Sequence, residues 1–256
     1  VIAERHDVVT SDARIGVTVR GEGPTVLVIP SQGRGVADFA DLAERLVEAG
    51  RRVVMPEPRG IGASRGSNEN ITLAVLAGDA AAVIDRLGGG PADVIGHAYG
   101  NRVARMLATI RPDLVRRVVL LAAGGKAPVP DDVAAAFDVC FRLDAPEAER
   151  LAAIGTVFFA AGNDARVWLD GWSLEAAALQ AVADGATPVE TWWHAGSAPL
   201  LVIQGLEDRM ALPANGRMLK GELGARVTLV ELTGASHALL PERPDAIAET
   251  VIGYLK

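Results

Sequence analysis

The chain has 256 residues, half of them hydrophobic, and a formal net charge of −7. That length supports a large buried core, and α/β folds of this size are commonly one domain. No basic patch suits a nucleic-acid backbone, and 4% aromatics are too few for a base-stacking platform. Cys140 is the only cysteine, which excludes an intramolecular disulfide and a cysteine metal cluster. The histidines His6, His97, His194 and His237 show no zinc-ligand spacing, so no metal or cofactor is expected. No apolar stretch is long and clean enough to cross a bilayer. The opening "VIAERHDVVT" lacks the basic flank and apolar core of a signal peptide. The chain begins with Val, so a removed leader stays open; a soluble, cytoplasmic protein is expected.

In chain order, "RHDVVTSDARIGVTVRG" alternates with period two and predicts a polar-edged hairpin at one edge of a sheet. "TVLVIP" (25–30) predicts a strand buried on both faces. A helix follows near 37–49, with Phe39, Leu42, Leu46 and Val47 on one stripe and Gly50 as its stop. "RVVMP" (52–56) is the next strand. A second helix near 72–87 carries Leu73, Leu76, Ala80, Val83 and Leu87 on one face and ends in glycines 88–90. Then come a strand, "ADVIG" (92–96), a helix over 99–110 and a strand, "RRVVLLAA" (116–123). This alternation predicts a parallel sheet covered by helices on both sides.

The rhythm breaks from about 125 to 195, where "PDDVAAAFDVCFRL", "APEAERLAAIGTVFFAAG" and "SLEAAALQAVADG" read as helices with no core strand between them. Strands resume with "APLLVIQG" (198–205) and "RVTLVEL" (226–232), and "PDAIAETVIGYL" (244–255) is a last helix. The middle block is therefore an insertion between two strands of one sheet. Placed at a strand's C-terminal end, it is expected to form a helical lid over the ligand crevice.

Four stretches, in this order and in these strand contexts, resemble the α/β-hydrolase family: "EPRGIGAS" (57–64), "GHAYG" (96–100), "GLEDRMALP" (205–213) and "GASHALLPERP" (234–244). The resemblance covers nearly the whole chain. It implies an α/β-hydrolase fold, with a mostly parallel eight-stranded sheet and a helical lid inserted after the sixth strand. The core would be 1–124 and 196–256, and the lid 125–195. It also implies roles. "GHAYG" looks like a nucleophile elbow, where Gly96 and Gly100 remove clashing side chains, but its centre is Ala98. His237 is the expected general base. Asp208 is its expected orienter, with the adjacent Glu207 chemically competent. The backbone N–H groups of Tyr99 and Gln32 would form the oxyanion hole, although the family's usual His-Gly is Pro30-Ser31 here. Ser31 is a remote candidate for a substitute nucleophile. Ser31, Phe141, Trp168, Trp172 and Trp193 are expected to line the substrate pocket, and Asn101, Arg102 and Arg105 to be structural or surface residues.

A methyl group cannot attack a carbonyl, so three readings of Ala98 stand. An engineered Ala could replace a catalytic Ser. A natural Ala could leave the His237–Asp208 pair to work without a covalent intermediate, on water or as a lyase or cofactor-free oxygenase base. Or the protein could only bind a small molecule. The expected chemistry is hydrolysis of a small, largely apolar ester, lactone or related carbonyl compound. The expected partner is that small molecule, with neither nucleic acid nor membrane; a homodimer stays open.

Overall fold

Strand burial in the structure, a computed structural model describing residues 3–256, follows position in the sheet. Val1 and Ile2, which begin the stretch tested for a leader, lie outside the described residues. Three strands are buried along their whole length: β3 (Thr25–Ile29), β6 (Ala92–His97) and β8 (Leu200–Gly205). Apolar residues on both faces suit a strand with helices above and below. β1 (Glu4–Val9) and β2 (Ala13–Arg20) form the expected edge hairpin, and β2 alternates buried and half-exposed residues. The remaining strands are β4 (Arg52–Pro56), β5 (Arg65–Gly66), β7 (Val115–Leu121) and β9 (Val227–Leu232). The sheet runs β1-β2-β4-β3-β6-β7-β8-β9, and the two-residue β5 pairs with β2 off that path. From β4 to β9 every pairing is parallel.

Helices cover both faces. α1 (Ala40–Glu48) and α8 (Pro244–Leu255) pack on one, through Leu42, Leu46, Ile247 and Val251. On the other lie α2 (Leu73–Val83), α3 (Tyr99–Ile110) and α7 (Ala214–Leu223), through Leu73, Ala77, Val103, Leu107 and Leu219. The helix expected to reach residue 87 is α-helical only to Val83. Its last turn, Ile84–Gly88, widens to π geometry before Gly89 turns the chain at φ 69°. α4 (Asp131–Cys140), α5 (Glu147–Phe158) and α6 (Leu174–Gly185) fall between β7 and β8. α4 and α5 share a separate apolar cluster that includes Val133, Ile154, Val157 and Trp168. Cys140 is buried in that cluster, and burial pushes its thiol up to about 12, far from a reactive thiolate.

"EPRGIGAS" acts as a brace between β4 and β5. Arg59 reaches Asp79 on α2 through two hydrogen bonds of 2.7 and 2.9 Å, while Ser64 Oγ donates to Glu57 O and accepts from Gly16 N. This loop and the three parallel strand ends beside it set the frame for the elbow.

Candidate active site

β6 turns into α3 within one residue, Ala98, whose φ of 50° and ψ of −109° are costly for any side-chain-bearing residue. The flanking glycines are required by close backbone approach. A Cβ on Gly96 would lie 2.5 Å from Gly100 O, and one on Gly100 would lie 2.1 Å from Ile29 O and 2.6 Å from Pro30 O. The same contact presses the elbow against the loop that follows β3. Neither the Tyr99 nor the Gln32 backbone N–H has an acceptor among the described residues, and α3 directs the positive end of its dipole to the same place.

His237 stands on the loop between β9 and α8. Its Nδ1 lies 3.0 Å from Asp208 Oδ2 and 3.3 Å from Oδ1, with both side chains buried. A carboxylate only accepts, so in the neutral ring Nδ1 carries the proton and donates, and Nε2 is the bare acceptor. Nε2 has no protein partner among the described residues, and His237 lines the same cavity as Ala98. Asp208 is itself fixed, since its Oδ1 accepts from Met210 N at 2.9 Å and Ala211 N at 2.7 Å. Glu207 faces elsewhere and accepts from Gly234 N and Ala235 N, both at 3.0 Å. The geometry therefore pairs His237 with Asp208 rather than with its neighbour.

A second histidine holds the first. His97 Nε2 donates to the His237 carbonyl at 2.8 Å, and its ring packs against Phe39, Trp168 and His237. Burial, helped by the charge His237 can carry, pushes His97 down from 6.5 to about 4. Its only hint in the sequence was its place at the end of a mostly apolar strand, directly before Ala98. The folded protein then resists a proton that the unfolded chain accepts. The stability due to neutral His97 is fully present above about pH 6.5 and is lost as pH falls toward 4. Urea denaturation of this chain and His97→Gln should show the gap in unfolding free energy shrinking by about 3 kcal/mol from pH 7 to pH 4. A gap constant with pH contradicts the buried neutral assignment.

The cavity between the elbow and the inserted helices has a volume of about 140 Å³. Ala98, Tyr99, Gln32, Ser31, Trp172 and His237 all line it. The Ser31 hydroxyl makes no hydrogen bond to His237. Phe141 lies behind the lining, edge-on to Phe137 and Trp172 at 5.0 and 5.1 Å. Trp168 also stands back, against His97 and beneath the Arg34 guanidinium, 4.7 Å from its ring. Trp193 corrects the expectation of a pocket residue. Its indole donates to Glu222 at 2.7 Å, and it sits behind Gly125, where an added Cβ would meet its ring at 2.9 Å. Arg102, expected to be a structural or surface residue, lines the cavity, as do Phe137, Phe158 and Met210. Asn101 and Arg105 are buried and structural.

The inserted helices also tie down the loop carrying Gln32. Gly33 N donates to Gln180 Oε1 at 2.7 Å, Ser173 N to Gly33 O at 2.8 Å, and Gln32 Nε2 to Ala177 O at 3.2 Å. Gln180 was hidden in an alanine-rich helix and carried no sequence signal. Among the described residues no group of three or more His, Cys, Asp or Glu could hold a metal ion, and no helix is long and apolar enough to cross a membrane.

These features define a parallel-sheet scaffold in which His237 of a buried His–Asp pair and a strained strand-to-helix turn line one cavity. The chain belongs to the alpha/beta hydrolase family, whose profile matches residues 26–250. Over 123 residues it is 29% identical to the 2-hydroxymuconate semialdehyde hydrolase of Pseudomonas sp. (strain CF600), covering 47% of this chain and 44% of that enzyme. The chain thus spans less than half the length of the first curated relatives it matches, 44% and 39%. Among solved structures, a hydrolase from Pseudomonas aeruginosa PA01 superimposes with a TM-score of 0.78 at 23% identity, covering 98% of each chain. The esterase EaEST from Exiguobacterium antarcticum does so with a TM-score of 0.79 at 17% identity, covering 95% of this chain and 96% of its own. At these identities the structural likeness speaks to the fold.

Proposed function

We propose that this protein is an enzyme acting on a small, largely apolar ester, lactone or related carbonyl compound, with His237 as its base and no covalent intermediate. The observation that carries this reading is the bare Nε2 of His237, held by Asp208 on its far side and facing the cavity over Ala98. A neutral imidazole in that state can take a proton from water as the water attacks a carbonyl. The proton moves to Nε2, and the Asp208 carboxylate stabilises the imidazolium. The negative charge developing on the carbonyl oxygen would be met by the Tyr99 and Gln32 N–H groups. Collapse of the tetrahedral species expels the alcohol, and Nε2 returns the proton to it. α4–α6, over residues 125–195, would serve as the lid, with residues 1–124 and 196–256 as the core. Phe137, Phe158 and Trp172 would give the pocket its apolar character. Mass spectrometry should detect free acid when the chain meets a panel of short esters and lactones. Binding of panel members with no product would favour a binding protein.

The retained elbow supports a related reading, in which the site is one hydroxyl short of a triad. Ala98 keeps the strained backbone that such a nucleophile occupies. Ala98→Ser should become covalently labelled by a fluorophosphonate probe, and Ala98→Ser/His237→Ala should not. An unlabelled Ala98→Ser protein would mean that the hydroxyl cannot be activated by His237.

A further inference from the structure

The cavity is electrically one-sided. None of its lining residues is an Asp or Glu, while Arg102 contributes a guanidinium. Arg102 Nη1 is paired with Asp184, but Nη2 has no partner among the described residues. Nη2 lies 3.8 Å from where a Cβ on Gly124 would sit, and Gly124 is itself cavity wall. A guanidinium has five donors in a planar fork, so one carboxylate partner leaves an edge to offer.

A further feature points the same way. One layer behind the wall, Arg105 is fully buried with no carboxylate partner. It donates to Asn101 O, Asn101 Oδ1 and Gly124 O, and Nη1 has no partner. Its charge rests on the rings of Trp192 and Trp193, 4.4 and 5.0 Å away. An uncompensated buried cation is costly, and an anion arriving nearby lowers that cost.

We propose that the free edge of Arg102 is an anion subsite of this cavity, so that the ligand is a small carbonyl compound bearing a carboxylate. The inference rests on the reading above in one respect, that this cavity is the ligand site. A monoanion fits better than a dianion, because Arg102 is the single Arg or Lys among the lining residues. The carboxylate would bind Nη2 of Arg102. The reacting carbonyl would then lie toward the elbow.

The test compares hexanoate with hexanamide, equal in shape and different in charge, by NMR titration at pH 8. The expected result is that hexanoate binds the unmodified chain about tenfold tighter, as a charge-assisted hydrogen bond implies. Arg102→Gln should lose that preference while holding hexanamide as before, and Arg102→Lys should keep part of it. His237→Gln should retain the preference, which separates Arg102 from attraction to an imidazolium. Equal affinities in the unmodified chain overturn the subsite, as does a preference that survives Arg102→Gln. If Arg102→Gln binds neither probe, Arg102→Lys decides: a restored preference supports the subsite and none overturns it. A chain that prefers hexanoate but turns nothing over keeps the subsite and loses the catalytic reading; turnover without the preference does the reverse.

Discussion

Replacing His237 with Ala is expected to lower turnover of the proposed ester or lactone substrate about a thousandfold, the scale of a positioned general base. Water at a carbonyl reacts slowly unless a proton leaves as the bond forms. Nε2 of His237 is the base that faces the cavity with its lone pair free and its other nitrogen anchored. Asp208→Asn should fare almost as badly as His237→Ala, for a tautomeric reason. An amide at 208 can donate to Nδ1, which places the ring proton on Nε2 and removes the acceptor. Asp208→Ala offers no such donor, so it should retain more activity than Asp208→Asn. Steady-state rates for the three variants check this order. Equal losses would mean that Asp208 acts only as a charge, and full activity in His237→Ala would remove the base altogether.

The second large effect concerns the elbow's backbone. Gly100→Ala should destabilise the protein by about 3 kcal/mol, the upper range for a buried overpacking change. The new methyl would meet Ile29 O at 2.1 Å and Pro30 O at 2.6 Å, both main-chain atoms at the end of a central strand. Main chain there cannot rotate away as a side chain would. The strand would have to move, and with it the loop that carries Gln32. For a chain of this size the loss corresponds to a fall in Tm of roughly 10 °C. Gly78→Ala is the contrasting case. Gly78 lies exposed in α2, and its added Cβ would meet nothing within 4 Å. Helix propensity alone then predicts a gain of about 1 kcal/mol. Thermal unfolding of the two variants reads both signs. A Gly100→Ala protein as stable as the parent would mean that the elbow is looser than its contacts require.

Much of this architecture was legible because it depends on backbone rules. Doubly apolar runs marked the buried strands, and glycines at 96 and 100 marked a turn too tight for side chains. The reach from Asp208 to His237 was legible only through the resemblance, since the pair is 29 residues apart in the chain. What failed to read was side-chain direction. Trp193 looked like a pocket aromatic, yet it follows a short 3-10 turn that sends the indole toward Glu222. Arg102 read as a structural or surface residue, but it stands in the first turn of α3, directly after the elbow, and lines the cavity. Gln180 and His97 act through backbone atoms of other loops, and such bonds leave no periodic trace.

The central claim is a base-driven reaction over Ala98 with no covalent intermediate. It is tested most directly by following a single turnover of a small ester or lactone in ¹⁸O-labelled water, with intact-protein mass recorded throughout. The account predicts one ¹⁸O in the acid product from the first turnover, an unchanged protein mass at every time point, and loss of the signal in His237→Ala. A protein mass raised by an acyl group would contradict it, and so would product formation at an undiminished rate in His237→Ala.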